Sequence, residues 1–200
     1  MSDEVWVGIF VGGQSRRMGG FPKGLLELPG GGRLIERLIA EVGRALPAAP
    51  IRLVGSHAAY AFLGLEAIPD DPPGIGPLGG FLGLLRTARG RGVTHLVVLS
   101  CDLPFVTSEL IERLVAFSPS AAVVAPVDRL DGFGGEARWQ PFFGYYRVEP
   151  SLVAAEALLA TGARSLQRLF EHIEAPLELP LSDEERAQLR DWDTPEQVNS

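Results

Sequence analysis

The sequence predicts an α/β fold, with a mostly parallel central sheet and helices on both of its faces. Three observations favour it. Short apolar runs typical of buried strands alternate with segments whose apolar residues follow helical spacing. The most strand-like run, residues 94–99, leads straight towards the carboxylate of Asp102, an arrangement common at the ligand edge of open α/β sheets. A length of 200 residues without a repeat or a linker indicates one domain over residues 1–200.

The first half of the chain carries the clearest patterns. Its predicted elements are a strand at 5–11, a helix at 34–46, a strand at 51–54 and a helix that begins near Pro77 or Leu78. The first strand is an apolar run broken only by Gly8. Pro47 and Pro50 end the first helix, because proline cannot continue one.

The second half is less regular. Its predicted elements are the strand 94–99, a helix capped by Thr107 or Ser108 and running to 117, a strand at 121–126, a loop at 128–138, a strand at 139–146, and helices at 150–161 and about 165–172. Threonine and serine favour helix starts because their hydroxyls accept hydrogen bonds from otherwise unpaired amides.

Composition excludes several classes of protein. A net charge of −7 and a pI near 5.0 argue against a protein that coats nucleic acid or an anionic membrane. Cys101 is the only cysteine, which excludes an internal disulfide and a cysteine-based zinc cluster. The N-terminus lacks the pattern of a signal peptide, and no window resembles a membrane span. We therefore expect a cytoplasmic protein that is a monomer or a weak oligomer.

A glycine-rich, basic loop follows the first strand. It contains Gly12-Gly13, Arg16, Arg17, a second glycine pair and Lys23, the only lysine of the chain. Glycines let backbone amides approach an anion and the cations neutralise it, so this pattern predicts a phosphate cradle. Neither G-x-x-x-x-G-K-[ST] nor G-x-G-x-x-G is present, which argues against a P-loop NTPase and a Rossmann dehydrogenase. An ordinary surface turn is the alternative.

Two further segments follow predicted strands. Residues 70–80 are dense in proline and glycine, and the small residues at the start of the next helix offer a surface that a flat ring could approach. A rigid turn packed on the sheet is the other reading. Asp102 follows strand 94–99 and either binds a ligand or caps the next turn. In a parallel sheet these segments and the first loop converge on one edge.

The stretch VGGQSRRMGG-x-x-KGLLEL resembles the N-terminal signature of the molybdenum cofactor guanylyltransferases, roughly L-A-G-G-x-S-x-R-M-G-x-D-K-x-L-L. Two departures are visible. Phe10-Val11 replaces Leu-Ala, and Pro22 stands where the pattern has aspartate before the lysine. The resemblance implies a three-layer Rossmann-like nucleotidyltransferase fold of the GT-A type, with a nucleotide-binding half over about 1–120 and an acceptor-binding half over about 121–200.

The resemblance also implies roles for residues outside this stretch. Residues 70–80 are similar to the family segment D-x-x-P-G-x-G-P-L-A-G, which lines the base and ribose pocket, with Asp70 as the binding aspartate. CDLP resembles the C-D-x-P segment whose aspartate, here Asp102, holds Mg²⁺. Gln140-Pro141 resembles the acceptor-side Q-P pair. The tail resembles N-x-[ND]-T-P-E and makes Asp193 a candidate second metal contact, although it would cap a final helix equally well. The implied nucleotide-binding residues are Phe10, Val11, Gly12, Gly13, Lys23, Asp70, Pro77, Leu78, Gly79 and Asp102.

The implied activity is transfer of GMP from GTP to the phosphate of molybdopterin, with release of pyrophosphate and with Mg²⁺ as cofactor. In this scheme Lys23 contacts a phosphate oxygen, Arg16 or Arg17 contacts the leaving pyrophosphate, and Asp102 holds the metal. Gly12-Gly13 resembles the guanine-specific members, since cytidylyl relatives carry A-A-G there. The alternatives are a nucleotidyltransferase that uses CTP or a sugar phosphate, and a non-catalytic nucleotide-binding protein.

Overall fold

A computed structural model describes residues 4–11, 22–55, 58–129 and 137–190. Its strands are β1 (Val5–Phe10), β2 (Ile51–Val54), β3 (Ala67–Ile68), β4 (His95–Ser100), β5 (Val123–Ala125), β6 (Val127–Arg129), β7 (Ala137–Trp139), β8 (Phe143–Arg147) and β9 (Leu177–Glu178). Its α-helices are α1 (Leu34–Ala45), α2 (Pro77–Gly90), α3 (Ser108–Phe117), α4 (Val148–Ala160) and α5 (Asp183–Gln188). Short 3-10 helices cover Lys23–Leu25, Ala58–Leu63 and Leu166–Glu171.

The central sheet has seven strands in the order β3-β2-β1-β4-β8-β5-β9. The four strands from β3 to β4 are mutually parallel, β8 is antiparallel to both of its neighbours, and β5 pairs in parallel with β9. The predicted α/β class with a mostly parallel sheet is therefore confirmed. One sheet joins strands from both halves of the chain.

Helices cover both faces of this sheet, as the sequence predicts. Alternate residues of β1 point to opposite sides: Trp6 and Phe10 pack with α2 and α4, whereas Val7 and Ile9 pack with α1 and α3. Two apolar cores result, one on each face, because successive side chains of a strand alternate in direction. The three-layer arrangement leaves the strand ends as the places where polar residues gather.

Several element bounds agree closely with the sequence predictions. The first helix, α1, ends one residue before the predicted limit, and β2 has the predicted bounds. Thr107 is the N-cap of α3, and its hydroxyl accepts a hydrogen bond from the Leu110 amide at 3.4 Å. The helix predicted near Pro77 begins at that residue, after Gly76 with a φ of 75°.

Residues 128–146 differ from the prediction of one loop and one strand. The ends of the expected loop pair as β6 and β7 in an antiparallel ladder. The expected strand at 139–146 is wrong in its first part, because Trp139 ends β7 and a turn at 140–142 precedes β8. Pro141 has no amide proton for a sheet ladder, which explains why the strand is interrupted there. The segment 165–172 forms a 3-10 helix, and β9 and α5 were not predicted.

No helix within the described part of the chain is both long enough and apolar enough to cross a bilayer.

Candidate active site

The site lies where the sheet changes its direction of winding. The chain passes from β1 outward to β2 and β3, then returns through α2 to β4 on the other side of β1. The carboxyl ends of β1 and β4 are adjacent, and the Cys101 amide donates to the Phe10 carbonyl at 3.1 Å. Open α/β sheets bind ligands at this kind of switch point, outside the carboxyl ends of the strands.

Lys23 and Asp102 meet at this switch point. The ammonium Nζ of Lys23 is 3.1 Å from Oδ2 of Asp102, and the side chains are 21% and 16% exposed. Ser100 at the end of β4 donates its hydroxyl to the other oxygen, Oδ1, at 2.5 Å. A cation and a carboxylate that are 79 residues apart in sequence are thereby brought together as a partly buried pair. The predicted convergence of Lys23 and Asp102 is present in the structure.

Lys23 lies at the start of a 3-10 turn that is held on both sides. Pro22 precedes it with a φ of −68°, and its carbonyl accepts from the Leu25 amide at 2.9 Å. On the other side the Gly24 amide donates to the Tyr60 hydroxyl at 3.1 Å. Tyr60 is 1% exposed, and burial raises its pKa well above the ordinary value.

Tyr60 is a contact that the sequence analysis missed. Cys101 is buried in the same apolar core as Tyr60, and burial raises the pKa of its thiol to about 12. A tyrosine in the apolar segment AAYAFL is weak evidence for a site, because such residues are more often core. The signal available in the sequence is that a tyrosine, if it is buried, needs a hydrogen-bond partner for its hydroxyl.

The loop between β3 and α2 is packed tightly against the first turns of that helix. The Asp71 amide donates to the Gly79 carbonyl at 2.9 Å. A Cβ on Gly79 would lie 2.5 Å from the Pro72 carbonyl oxygen, and a Cβ on Gly80 would lie 3.2 Å from both Asp70 Oδ1 and the Phe10 ring. Asp70 is therefore placed beside the end of β1, close to the same edge as the Lys23–Asp102 pair.

Several predicted nucleotide-binding residues point their side chains into the cores. Phe10, Val11 and Leu78 are at most 8% exposed. Any ligand contact by Leu78 therefore falls to its backbone amide at the start of α2, where unpaired amides favour anions and polar edges. Pro77 is exposed at the first position of that helix, and Gly79 is buried beside the Asp70 loop with its amide donating to the Gly76 carbonyl at 2.9 Å.

The predicted acceptor residues lie in the turn between β7 and β8. Gln140 donates through Nε2 to Asp128, and its amide donates to the Pro126 carbonyl at 2.9 Å. The Pro141 carbonyl accepts from Tyr146 at 2.8 Å. The same turn reaches the end of β4, since the Ser100 amide donates to the Phe142 carbonyl at 2.9 Å. The turn is thus attached to the strand that carries Asp102.

Comparison with known proteins gives the family. Residues 7–177 match the model of the MobA-like NTP transferase domain. The chain belongs to this family. It is 38% identical over 200 residues to a molybdenum cofactor guanylyltransferase of Pseudomonas putida, with 95% of this chain and 93% of the relative covered. The predicted family resemblance is confirmed, and the chain is a nucleotidyltransferase.

Solved structures show the same MobA-like fold. Molybdopterin-guanine dinucleotide biosynthesis protein A from Archaeoglobus fulgidus superposes with a TM-score of 0.71 at 22% identity, covering 96% of this chain and 94% of that one. A 4-diphosphocytidyl-2C-methyl-D-erythritol synthase from Anaerococcus prevotii superposes with a TM-score of 0.73 at 12% identity, covering 98% and 93%. At these identities the likeness concerns the fold alone, which guanylyl and cytidylyl enzymes share.

Some predicted site residues of this MobA-like domain lie outside the described residues. They are Gly12, Gly13, Arg16, Arg17 and Asp193. Within residues 4–11, 22–55, 58–129 and 137–190, no three His, Cys, Asp or Glu side chains gather to form a cation site. Asp102 and Ser100 supply hard oxygen donors, and Mg²⁺ is commonly held by one or two carboxylates together with substrate phosphates. The donor set therefore fits Mg²⁺ that is bound jointly with a nucleotide.

Proposed function

We propose that this protein transfers GMP from GTP to the phosphate of molybdopterin and releases pyrophosphate. The observation that carries the proposal is the Lys23–Asp102 pair at the switch point of a MobA-like domain. A cation and a carboxylate in contact are the two charges that a magnesium nucleotide requires from its protein. The choice of GTP and molybdopterin follows the relative from Pseudomonas putida, which is a molybdenum cofactor guanylyltransferase.

The reaction needs position and charge rather than a covalent intermediate. An oxygen of the acceptor phosphate attacks the α-phosphorus of GTP in line, the bond from that phosphorus to the bridging oxygen breaks, and pyrophosphate leaves with the electron pair. Lys23 leaves Asp102 and donates to a phosphate oxygen, where negative charge accumulates in the transition state. Arg16 or Arg17 neutralises the leaving pyrophosphate. Mg²⁺, held by Asp102 and in the proposal also by Asp193, supplies further charge neutralisation when it is bound.

In the proposal, the guanine base and the acceptor molybdopterin bind on opposite sides of the Lys23–Asp102 pair. Asp70 beside Gly80 accepts hydrogen bonds from the guanine edge, and the amides at the start of α2 border the ring. Gln140 and Pro141 face the acceptor from the turn attached to β4. This assignment corresponds to a nucleotide-binding half over about 1–120 and an acceptor half over about 121–200, in a cytoplasmic protein that is a monomer or a weak oligomer.

The test measures pyrophosphate release with molybdopterin as acceptor and GTP, CTP, ATP or UTP as donor, each with and without Mg²⁺. We expect release with GTP and Mg²⁺, and we expect GTP to raise the unfolding midpoint more than the other nucleotides do. Preference for CTP would instead favour a cytidylyltransferase, the fold of which is equally similar. Binding of GTP without turnover for any phosphorylated acceptor would favour a non-catalytic nucleotide-binding protein.

Substitutions at Lys23 and Asp102 test whether these two charges take part in the reaction. Lys23→Ala and Asp102→Ala should each lower the turnover by about 10²-fold or more, since each removes a charge that acts on the transition state. The matched control is Arg91→Ala, which removes a cation paired with Glu66 beyond the opposite end of the sheet. Near-normal turnover of either site variant would remove that residue from the mechanism, whereas a loss in the control would point to general destabilisation.

A further inference from the structure

One buried hydroxyl lies between the two segments that carry the charges of the site. Tyr60 projects from the 3-10 helix Ala58–Leu63 and is 1% exposed. It accepts a hydrogen bond from the Gly24 amide at 3.1 Å, and Tyr60 lies in the same apolar core as Cys101. A buried polar group is stabilising only when it is hydrogen-bonded, so the Gly24 amide helps to fix where the hydroxyl lies.

Gly24 and Cys101 are the chain neighbours of the ion pair, since Gly24 follows Lys23 and Cys101 precedes Asp102. Through its hydroxyl, Tyr60 therefore attaches the backbone next to the ammonium to the apolar core that contains the residue next to the carboxylate. The contact between Gly24 and Tyr60 is closely packed, since a Cβ on Gly24 would lie 2.9 Å from the hydroxyl oxygen. No side chain larger than hydrogen fits at that position without displacing the tyrosine.

We propose that Tyr60 is a positioning residue for nucleotidyl transfer, which holds the Lys23 turn against the end of β4 through its hydroxyl. The inference rests on the proposed function of Lys23 and Asp102. In the proposal Tyr60 acts through the backbone: it keeps the Lys23 turn at the separation from the end of β4 at which both side chains reach one nucleotide phosphate. Partners that orient metal-binding and catalytic groups in this way commonly contribute about 10- to 100-fold to affinity or activity.

The chain offers an unusual probe of this role, because Lys23 is its only lysine. Protein grown on isotope-labelled lysine gives a single side-chain NMR signal, whose shift and relaxation report the Lys23–Asp102 contact without any substrate. In Tyr60→Phe, which removes only the hydroxyl, we expect the signal to move and its relaxation to show a more mobile ammonium. The matched control is Tyr146→Phe, which removes another buried hydroxyl that donates to Pro141 and should leave the lysine signal unchanged.

Kinetics supply a second readout that a purely structural role would not change. If Tyr60 sets the position of the Lys23 turn relative to Asp102, Tyr60→Phe should change the Mg²⁺ concentration for half-maximal rate and lower kcat by about 10-fold or more. A variant that is only less stable would lose active protein at unchanged Mg²⁺ dependence. Gly24→Ala approaches the same contact from its other partner and should shift the Mg²⁺ dependence in the same direction.

The outcomes separate the two proposals. An unchanged lysine signal and an unchanged Mg²⁺ dependence in folded Tyr60→Phe would overturn the positioning role. A shifted lysine signal in a protein that releases no pyrophosphate with any nucleotide would retain the Tyr60 contact and overturn the proposed function instead. If Tyr60→Phe does not fold, Gly24→Ala carries the same test, since it alters the residue whose amide donates to the hydroxyl.

Discussion

Replacement of Gly83 by alanine should destabilise the protein, although alanine is the better helix former. Gly83 is buried in α2, and a Cβ there would lie 2.2 Å from the Pro69 carbonyl oxygen. Ordinary contacts begin near 3.4 Å, so the loop backbone would have to move by about 1 Å. Pro69 precedes Asp70, which means that the displacement falls on the proposed base-binding residue.

The magnitude follows from two opposing terms. Alanine gains about 1 kcal/mol over glycine inside a helix, whereas overpacking a tight contact costs about 1–3 kcal/mol, here near the upper end because the obstacle is backbone. The net loss is about 2 kcal/mol, which lowers the unfolding midpoint by about 4–8 °C for a chain of this size. Gly43→Ala in α1 is the matched control. Nothing lies within 4 Å of its Cβ, so that variant should unfold about 2–4 °C higher than the wild type.

The assay is thermal unfolding of both variants, followed by the KM for the nucleotide. Gly83→Ala should unfold at a lower temperature and show a raised KM, because Asp70 is displaced, while Gly43→Ala should keep the KM of the wild type. A rise of the midpoint in both variants would refute the reasoning, since the loop would then yield without cost. A lower midpoint with an unchanged KM would separate loop packing from nucleotide binding.

Three further predictions follow from side-chain environments. Lys23→Arg keeps the charge yet should turn over more slowly than wild type, measured as kcat for pyrophosphate release; a rate equal to that of wild type would show that any cation suffices. The Ser182 amide and Arg113 lower the pKa of Glu185 below its ordinary value of 4.5. The ionised carboxylate therefore stabilises the folded protein above that pH, and this contribution is lost as the pH falls below about 4.5. Glu185→Gln should flatten the curve of stability against pH in that range, measured by acid unfolding. Burial raises the pKa of the Cys101 thiol to about 12, so a thiol reagent at neutral pH should label unfolded but not native protein, and rapid native labelling would contradict the packing.

The parts of the fold that the sequence predicts well are those set by local signals. The bounds of α1 follow from helical spacing ended by proline, and the start of α3 follows from Thr107, whose hydroxyl accepts the Leu110 amide. The convergence of Lys23 with Asp102 follows from parallel strands that place their carboxyl ends on one edge. The sequence therefore predicts that Lys23 and Asp102 lie at the same edge of the sheet.

The parts that the sequence did not predict depend on partners far along the chain. The β6–β7 pairing and the turn at Gln140 are accompanied by contacts of Gln140 with Pro126 and with Asp128, neither of which has a periodic signature in the sequence. Tyr60 escaped notice for the same reason, because its partner Gly24 is 36 residues away. Aromatic spacing alone does not separate a core tyrosine from one that holds a catalytic segment.

The choice of lysine at position 23 is explained by comparing the ion pairs of the molecule. Elsewhere arginine forms two-point pairs, as when the two terminal nitrogens of Arg129 contact the two oxygens of Glu178 at 2.6 Å each. Such two-point pairs are strong and fixed in geometry, because the planar guanidinium matches a carboxylate. Lys23 instead contacts Oδ2 of Asp102 at 3.1 Å through a compact ammonium on a flexible stem. In the proposed cycle that ammonium has to leave the carboxylate for a phosphate oxygen and return after pyrophosphate departs. A one-point contact with the carboxylate permits this transfer, whereas an arginine fork would hold Asp102 in the resting pair and compete with the nucleotide for it.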